Sequence, residues 1–307
     1  MFSRVFFGSL AVAATLLSQQ CAAKFPFGGY QLETVNNWGD NPTGLEMQIY
    51  KPGNVAEKPA VIFALHFCFG SGSLYNDLNN YSEQADEHGF IVVFPSSLHE
   101  NGCWDVSSNT SLTRFGGGDS TGLFNMVKFA ISEYGADPAQ IFVTGSSSGC
   151  MMTNVMIALY PDLFAAATCY SGVAAGCLAG SPSSSPIFSD PACANGNVNK
   201  TGEQWAQIVY NMDPGYKGHR PKFATLHGTA DTVVSPSNLD QEIKQWSTVF
   251  GIKQTASNPN TPQQGYTQLV FGTGTQFVAY SAAGVGHTVP VNTTLDLEWF
   301  GITSNAA

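Results

Sequence analysis

Six stretches of this chain are almost continuously apolar, and each is only as long as a β-strand: AVIFALHF (60–67), GFIVVFP (89–95), IFVTG (141–145), FAAATCYSG (164–172), PKFATLHG (221–228) and FVAYSAAG (277–284). A strand with one face in water alternates apolar and polar residues. These do not, so both faces of the sheet they form must be covered. Helix-like stretches around 118–134, 149–160, 237–250 and 291–300 lie between and after them and supply the cover. Alternating strand and helix predicts an α/β fold with a mostly parallel, doubly wound sheet. LEMQIYKP (45–52) alternates instead, and reads as an antiparallel edge strand.

Within that frame one junction carries chemistry. The strand IFVT runs into GSSSG (145–149), and CMMTNVMIALYP follows as a helix closed by Pro161. A G-x-S-x-G pentapeptide between a strand and a helix has the layout of a nucleophile elbow, whose sharp turn pushes the central hydroxyl, here Ser147, out of the sheet. Small flanking residues let the backbone bend, and the helix N-terminus favours developing negative charge.

Serine is a weak nucleophile without a base, and the base needs an orienting acid. Asp231, in GTADTVV, follows the strand PKFATLH, and His287, in VGHTVP, follows FVAYSAAG. Both therefore fall on loops past the carboxyl ends of strands, in the chain order Ser, Asp, His. Of the six histidines, His88, His99 and His219 lie in polar surroundings. His66 and His227 end strands and read as supports that act through hydrogen bonds. His227 is also the rival base, because it is close in sequence to Asp231. An oxyanion would be met by the backbone N–H of Ser148 and by that of Cys68 or Phe69 in ALHFCFGSGS.

The opening MFSRVFFGSLAVAATLLSQQCAA has one charge at Arg4, an apolar run and then small residues, which predicts a signal peptide over 1–23 cut after Ala23. Ser18, Gln19 and Gln20 interrupt the apolar run too early for a membrane span. Residues 24–307 read as one domain. No linker leads to a carbohydrate-binding module, and the chain ends shortly after its last helical stretch. A net charge of −10 with no basic run argues against nucleic acid as a partner. Of seven cysteines, Cys21 leaves with the leader, and the six that remain suit disulfides in an oxidising compartment.

A Cys68–Cys103 bridge would tie the oxyanion loop to its neighbour, and Cys177–Cys193 would close the Ser/Pro-rich insertion SPSSSPIFSDPACANG. Cys150 and Cys169 remain either as a bridge, the preferred reading, or as two buried thiols. No cysteine or histidine spacing suits a metal, so neither metal nor cofactor is expected. Sequons at Asn80, Asn109, Asn199 and Asn292 are candidate glycosylation sites.

Long blocks of the chain resemble fungal secreted acetylxylan esterases of carbohydrate esterase family one, whose relatives include feruloyl esterases. They are NNWGDNPTGLEMQIYKP, ALHFCFGSG, GFIVVFPSS, GCWDVSS, ISEYGADPAQIFVTGSSSGCMMTNVM, YSGVAAGC, GTADT, AAGVGHTVP and EWFG. The resemblance implies an α/β-hydrolase fold and removal of acetyl groups from xylan without a metal. It maps the nucleophile onto Ser147, the acid onto Asp231, the base onto His287 and the oxyanion donors onto Cys68 and Ser148. Two departures bear on substrate: Phe69 stands where the family usually has a small residue, and SPIFSDPAC stands where a tryptophan wall is common, so that either Phe188 substitutes for it or the wall is lost; Cys150 also stands where alanine is expected. Phe69 and Phe188 are accordingly the candidate substrate-binding residues. The expected protein is a secreted, extracellular monomer acting on acetylated xylan or a similar hemicellulose. A feruloyl esterase, or a secreted binding protein that kept the fold without turnover, are the rival readings.

Overall fold

Residue alternation along the central strands explains the layering in the computed structural model, which describes residues 30–182 and 191–303. The elements run β1 (Glu33–Val35), β2 (Glu46–Tyr50), β3 (Val61–Leu65), α1 (Gly72–Leu78), α2 (Tyr81–His88), β4 (Ile91–Ser96), α3 (Asp119–Glu133), β5 (Ile141–Ser146) and α4 (Ser148–Leu159). They continue with β6 (Ala166–Tyr170), α5 (Pro191–Ala194), α6 (Gly202–Met212), β7 (Lys222–Gly228), α7 (Ser237–Phe250), β8 (Gln254–Pro259), β9 (Tyr266–Phe271), β10 (Phe277–Ala282) and α8 (Thr293–Phe300). Val61, Phe63 and Leu65 of β3 pack with residues of α3, α4, α6 and α7, whereas Ile62 and Ala64 pack with α1, α2 and α8. Phe142 of β5 stacks on Phe300 of α8 at 4.6 Å between ring centres. Strands buried on both faces have no polar face to show, which is why the sequence reads as unbroken apolar runs.

All described strands join one ten-stranded sheet in the order β1-β2-β4-β3-β5-β6-β7-β10-β9-β8. Its six central strands, from β4 to β10, are parallel, and antiparallel pairs close both sides. From β3 the chain winds outward to β4, then crosses back to β5 and continues the other way. The crevice beyond the carboxyl ends of β3 and β5 lies at this reversal, where open α/β sheets bind ligands.

Three expectations need correction. β2 is antiparallel but not the edge, because β1 pairs outside it. ETV is too short and polar to announce itself. Two further strands, β8 and β9, escaped notice; β8 is exposed along its whole length and has no apolar face to detect. The polar helices α1 and α2 were also missed, as was α6, although Thr201 and Gln204 form a capping box at its start. The leader at 1–23 and Phe188 lie outside the described residues. No helix among the described residues is long and apolar enough to cross a membrane.

Candidate active site

Close approach dictates the glycines of GSSSG. A Cβ at Gly145 would sit 2.4 Å from the Gly149 carbonyl, and one at Gly149 would sit 2.0 Å from the Leu65 carbonyl oxygen. The turn therefore brings the end of β5, the start of α4 and the end of β3 into contact. Ser147 occupies its apex with φ 54° and ψ −117°, a strained conformation for a side chain with a Cβ, held by its N–H donating to the Tyr170 carbonyl at 2.8 Å.

His287 reaches this serine from the loop after β10. Its Nε2 is 2.8 Å from Ser147 Oγ, and its Nδ1 is 2.8 Å from Asp231 Oδ2. Asp231 follows β7, and its Oδ1 accepts the N–H groups of Val233 and Val234, each at 2.9 Å. Burial pushes the Asp231 carboxyl up, but hydrogen bonds from His227, His287 and Val234 outweigh it and hold the group well below the usual carboxylate range. An ionised carboxylate only accepts. His287 therefore carries its proton on Nδ1 and turns the Nε2 lone pair toward the serine hydroxyl.

The two other strand-end histidines are differently engaged. His66 donates from Nδ1 to the Phe67 carbonyl at 2.7 Å and accepts the Ser97 N–H on Nε2 at 3.1 Å. Burial lowers its pKa, so it stays neutral. His227 is buried, with Nε2 2.9 Å from the Val234 carbonyl and 3.3 Å from Asp231 Oδ2. Because a carbonyl only accepts, the proton sits on Nε2, which faces the Val234 carbonyl and the acid.

The loop after β3 separates the two oxyanion candidates. Phe69 has φ 62° and donates its N–H to the Asn101 carbonyl at 2.5 Å, so that donor is taken. The N–H groups of Cys68 and Ser148 meet no protein acceptor among the described residues. Cys68 is bridged to Cys103. The neighbouring Trp104 donates its backbone N–H to Ser148 Oγ at 2.8 Å and its indole N–H to the His66 carbonyl at 2.9 Å. Together these bonds fasten the β3 loop, the 101–104 loop and the start of α4. Sequence reading missed Trp104 and the Ser148 hydroxyl, although the tryptophan beside a cysteine was visible in GCWD.

Phe67, Cys68, Phe69, Ser147, Val233, His287 and Thr288 line a cleft of about 260 Å³ over the serine. Phe69 is 58% exposed at its rim. Cys150 and Cys169 are bridged, as are Cys177 and Cys193, which resolves the choice between bridge and buried thiols for the first pair. Asn80, Asn109 and Asn199 are exposed. The Asn292 side chain instead caps α8 by accepting the Leu295 N–H at 3.0 Å, and Asn80 accepts a hydrogen bond from Thr293 at 2.5 Å.

Residues 45–261 match the model of a family described as esterase PHB depolymerase. The chain belongs to this family. Within it, the chain is 49% identical to feruloyl esterase B of Talaromyces funiculosus, over 89% of this chain and 77% of that one. It is 46% identical to acetylxylan esterase A of Aspergillus ficuum, over 95% of this chain and 97% of that one. The solved acetyl xylan esterase from Aspergillus awamori superposes with a TM-score of 0.84 at 46% identity, covering 89% of this chain and all 100% of its own. The esterase is a carboxylic ester hydrolase of α/β-hydrolase fold, and the resemblance to acetylxylan esterases drawn from its motifs holds.

Proposed function

We propose that the chain is a secreted serine esterase that removes acetyl groups from acetylated xylan. The observation that carries this reading is the continuous hydrogen-bond path from Ser147 Oγ through His287 to Asp231, with both links at 2.8 Å. Ser147 attacks the ester carbonyl while His287 Nε2 takes its proton, and Asp231 stabilises the imidazolium that forms. The oxyanion is met by the N–H groups of Cys68 and Ser148, each worth roughly 3–4 kcal/mol in comparable sites. His287 then protonates the sugar oxygen as its bond to the acyl carbon breaks, freeing the hydroxyl, and water, activated by the same histidine, releases acetate from Ser147.

The similarity to acetylxylan esterases over nearly their full length supports acetyl as the acyl group and xylan as the polymer. Export is supported by the leader pattern at 1–23 and by three disulfides. A hydroxycinnamoyl ester is the second reading. It is favoured by the apolar rim of Phe69 and Val233 and by the similarity to feruloyl esterase B.

Ser147→Ala is expected to lower kcat on acetylated xylan by roughly 10⁴-fold or more. The intact enzyme should show the higher kcat/KM on acetylated xylan than on methyl ferulate. Full activity in Ser147→Ala would sink the mechanism, and preference for methyl ferulate would replace acetyl with feruloyl.

A further inference from the structure

A larger cavity, about 460 Å³, opens at the other end of the sheet. Tyr210, Asp213, Tyr216, Lys217, His219 and Arg220 help to line it, above an apolar floor of Val249 and Phe250. It lies before the first residue of β7 and, at Gln276, before the first residue of β10, whereas Asp231 and His287 follow the last residues of these strands. Seven residues of β7 separate the two ends, roughly 20 Å at about 3.3 Å per residue. The volume falls within the range of small-ligand sites.

Arg220 is the unusual group. Its guanidinium carbon lies 5.9 Å from the centre of the Tyr210 ring and 5.3 Å from that of Tyr216. Gln276 Nε2 donates to the Arg220 carbonyl at 3.0 Å and fixes the backbone beneath it. Nη1 is buried with no hydrogen-bond partner, and no carboxylate pairs with Arg220 among the described residues. Burial lowers its pKa. The one carboxylate in the cavity wall, Asp213, lies 3.2 Å from Arg114, which it shares with Asp162; it also favours the charged form of Arg220, but makes no ion pair with it. In a chain of net charge −10, Lys217, His219 and Arg220 thus gather cationic capacity around one cavity. A partly desolvated guanidinium with no direct ion pair is costly, and a ligand carboxylate beside it would relieve that cost. Tyr210, 40% exposed, presents an aromatic surface beside it. A bare anion has no use for that surface, whereas the apolar face of a sugar ring does.

We propose that this cavity is a second carbohydrate site, which takes a carboxylate-bearing sugar, a uronic acid carried on the polymer whose esters Ser147 cleaves. The choice of polymer rests on the esterase reading above. Too far from Ser147 to be part of the same substrate cleft, the site retains the chain and raises the local concentration of ester.

The test uses the Ser147→Ala protein, in which nothing is turned over. It is titrated calorimetrically with a xylo-oligosaccharide carrying one glucuronic acid, with the same oligosaccharide lacking it, with free glucuronate and with inorganic phosphate. The acidic oligosaccharide is expected to bind at least tenfold more tightly than the other three. Arg220→Gln should weaken it about tenfold, and exposed Lys217→Gln about threefold. Equal binding of neutral and acidic oligosaccharides, or undiminished binding in both variants, overturns the proposal. Phosphate binding as well as the oligosaccharide reduces the cavity to an anion site and overturns its sugar specificity. Free glucuronate binding as well overturns the polymer as its source. With Ser147 intact, Arg220→Gln should raise KM on glucuronate-bearing acetylated xylan severalfold and leave p-nitrophenyl acetate hydrolysis unchanged; equal losses on both overturn the retention role. Failure here leaves the Ser147→Ala activity result untouched, and the reverse also holds.

Discussion

Asp231 and Asp296 are both buried carboxylates close to the GSSSG turn, yet their environments drive them in opposite directions. Asp231 sits at the mouth of the sheet, where two backbone N–H groups and two imidazoles converge on it and keep it ionised. Asp296 lies in α8, wholly enclosed, and accepts the hydroxyls of Tyr81 and Tyr170, the latter at 2.6 Å. Tyr75 donates or accepts at 2.9 Å with Ser146 in the same layer. For Asp296 burial outweighs the hydroxyl donors and pushes the carboxyl up to about 6. The contrast teaches that burial alone does not set the charge. Neutral hydroxyls in a fully enclosed layer fail to offset desolvation, whereas converging N–H donors at a partly solvated mouth do.

The comparison breaks most visibly at Asp231. Asp231→Asn replaces an acceptor with a group that can present an N–H to His287, so the imidazole loses its correct tautomer. A fall in kcat of roughly 10³–10⁴ is expected, with little change in thermal stability. A loss under tenfold would remove Asp231 from the mechanism.

Asp296 should instead affect stability. Its folded-state pKa, about 6, lies above the ordinary 3.8, so the folded chain keeps a proton that the unfolded chain releases between about pH 4 and 6. Stability therefore falls as pH rises through that window, by about 3 kcal/mol when the window is crossed. Asp296→Asn, neutral throughout, lacks this loss. Urea unfolding at pH 4 and pH 7 should show the variant gaining about 2 kcal/mol on the parent between the two, since part of the window lies below pH 4. Parallel profiles would show that burial does not govern Asp296.

Sequence carried the central sheet because six strands buried on both faces leave long apolar runs, and each run overlaps one of the observed parallel strands. It singled out Ser147, Asp231 and His287 for a related reason. Each follows such a run directly, and the parallel strands deliver the loops to one end. Asp296 was illegible, since a lone acid in TTLDLEWF has the appearance of a solvated helix position until Tyr81 and Tyr170, far away in sequence, close over it. Trp104 and Arg220 were hidden likewise, because their meaning lies in partners, or in a lack of partners, that only packing reveals. The strand β8, polar and exposed, carries no pattern at all.

His227 offers the finest cut, because it tests whether Asp231 depends on more than one imidazole. The ring donates from Nε2 toward both the Val234 carbonyl and Asp231, while its Nδ1 is buried without a partner. Glu242, enclosed beneath it, accepts from Thr225 at 2.9 Å and Asn154 at 2.7 Å, and burial raises its pKa. His227→Phe keeps the ring but removes the donor. Asp231 then loses one of the bonds that hold its carboxyl low, and the value moves back up toward the ordinary range. The carboxyl still stays ionised wherever His287 is a neutral base, so the change is read in the rate: with Asp231 held less firmly, kcat near neutrality should fall about tenfold, ~1.4 kcal/mol. His227→Gln retains an N–H near the same position and should restore most of the rate. If His227→Gln slows the enzyme as much as His227→Phe does, the histidine acts by packing alone. Asp231 is then held by His287 and the two backbone donors, and the contrast with Asp296 rests on solvation depth more than on donor number.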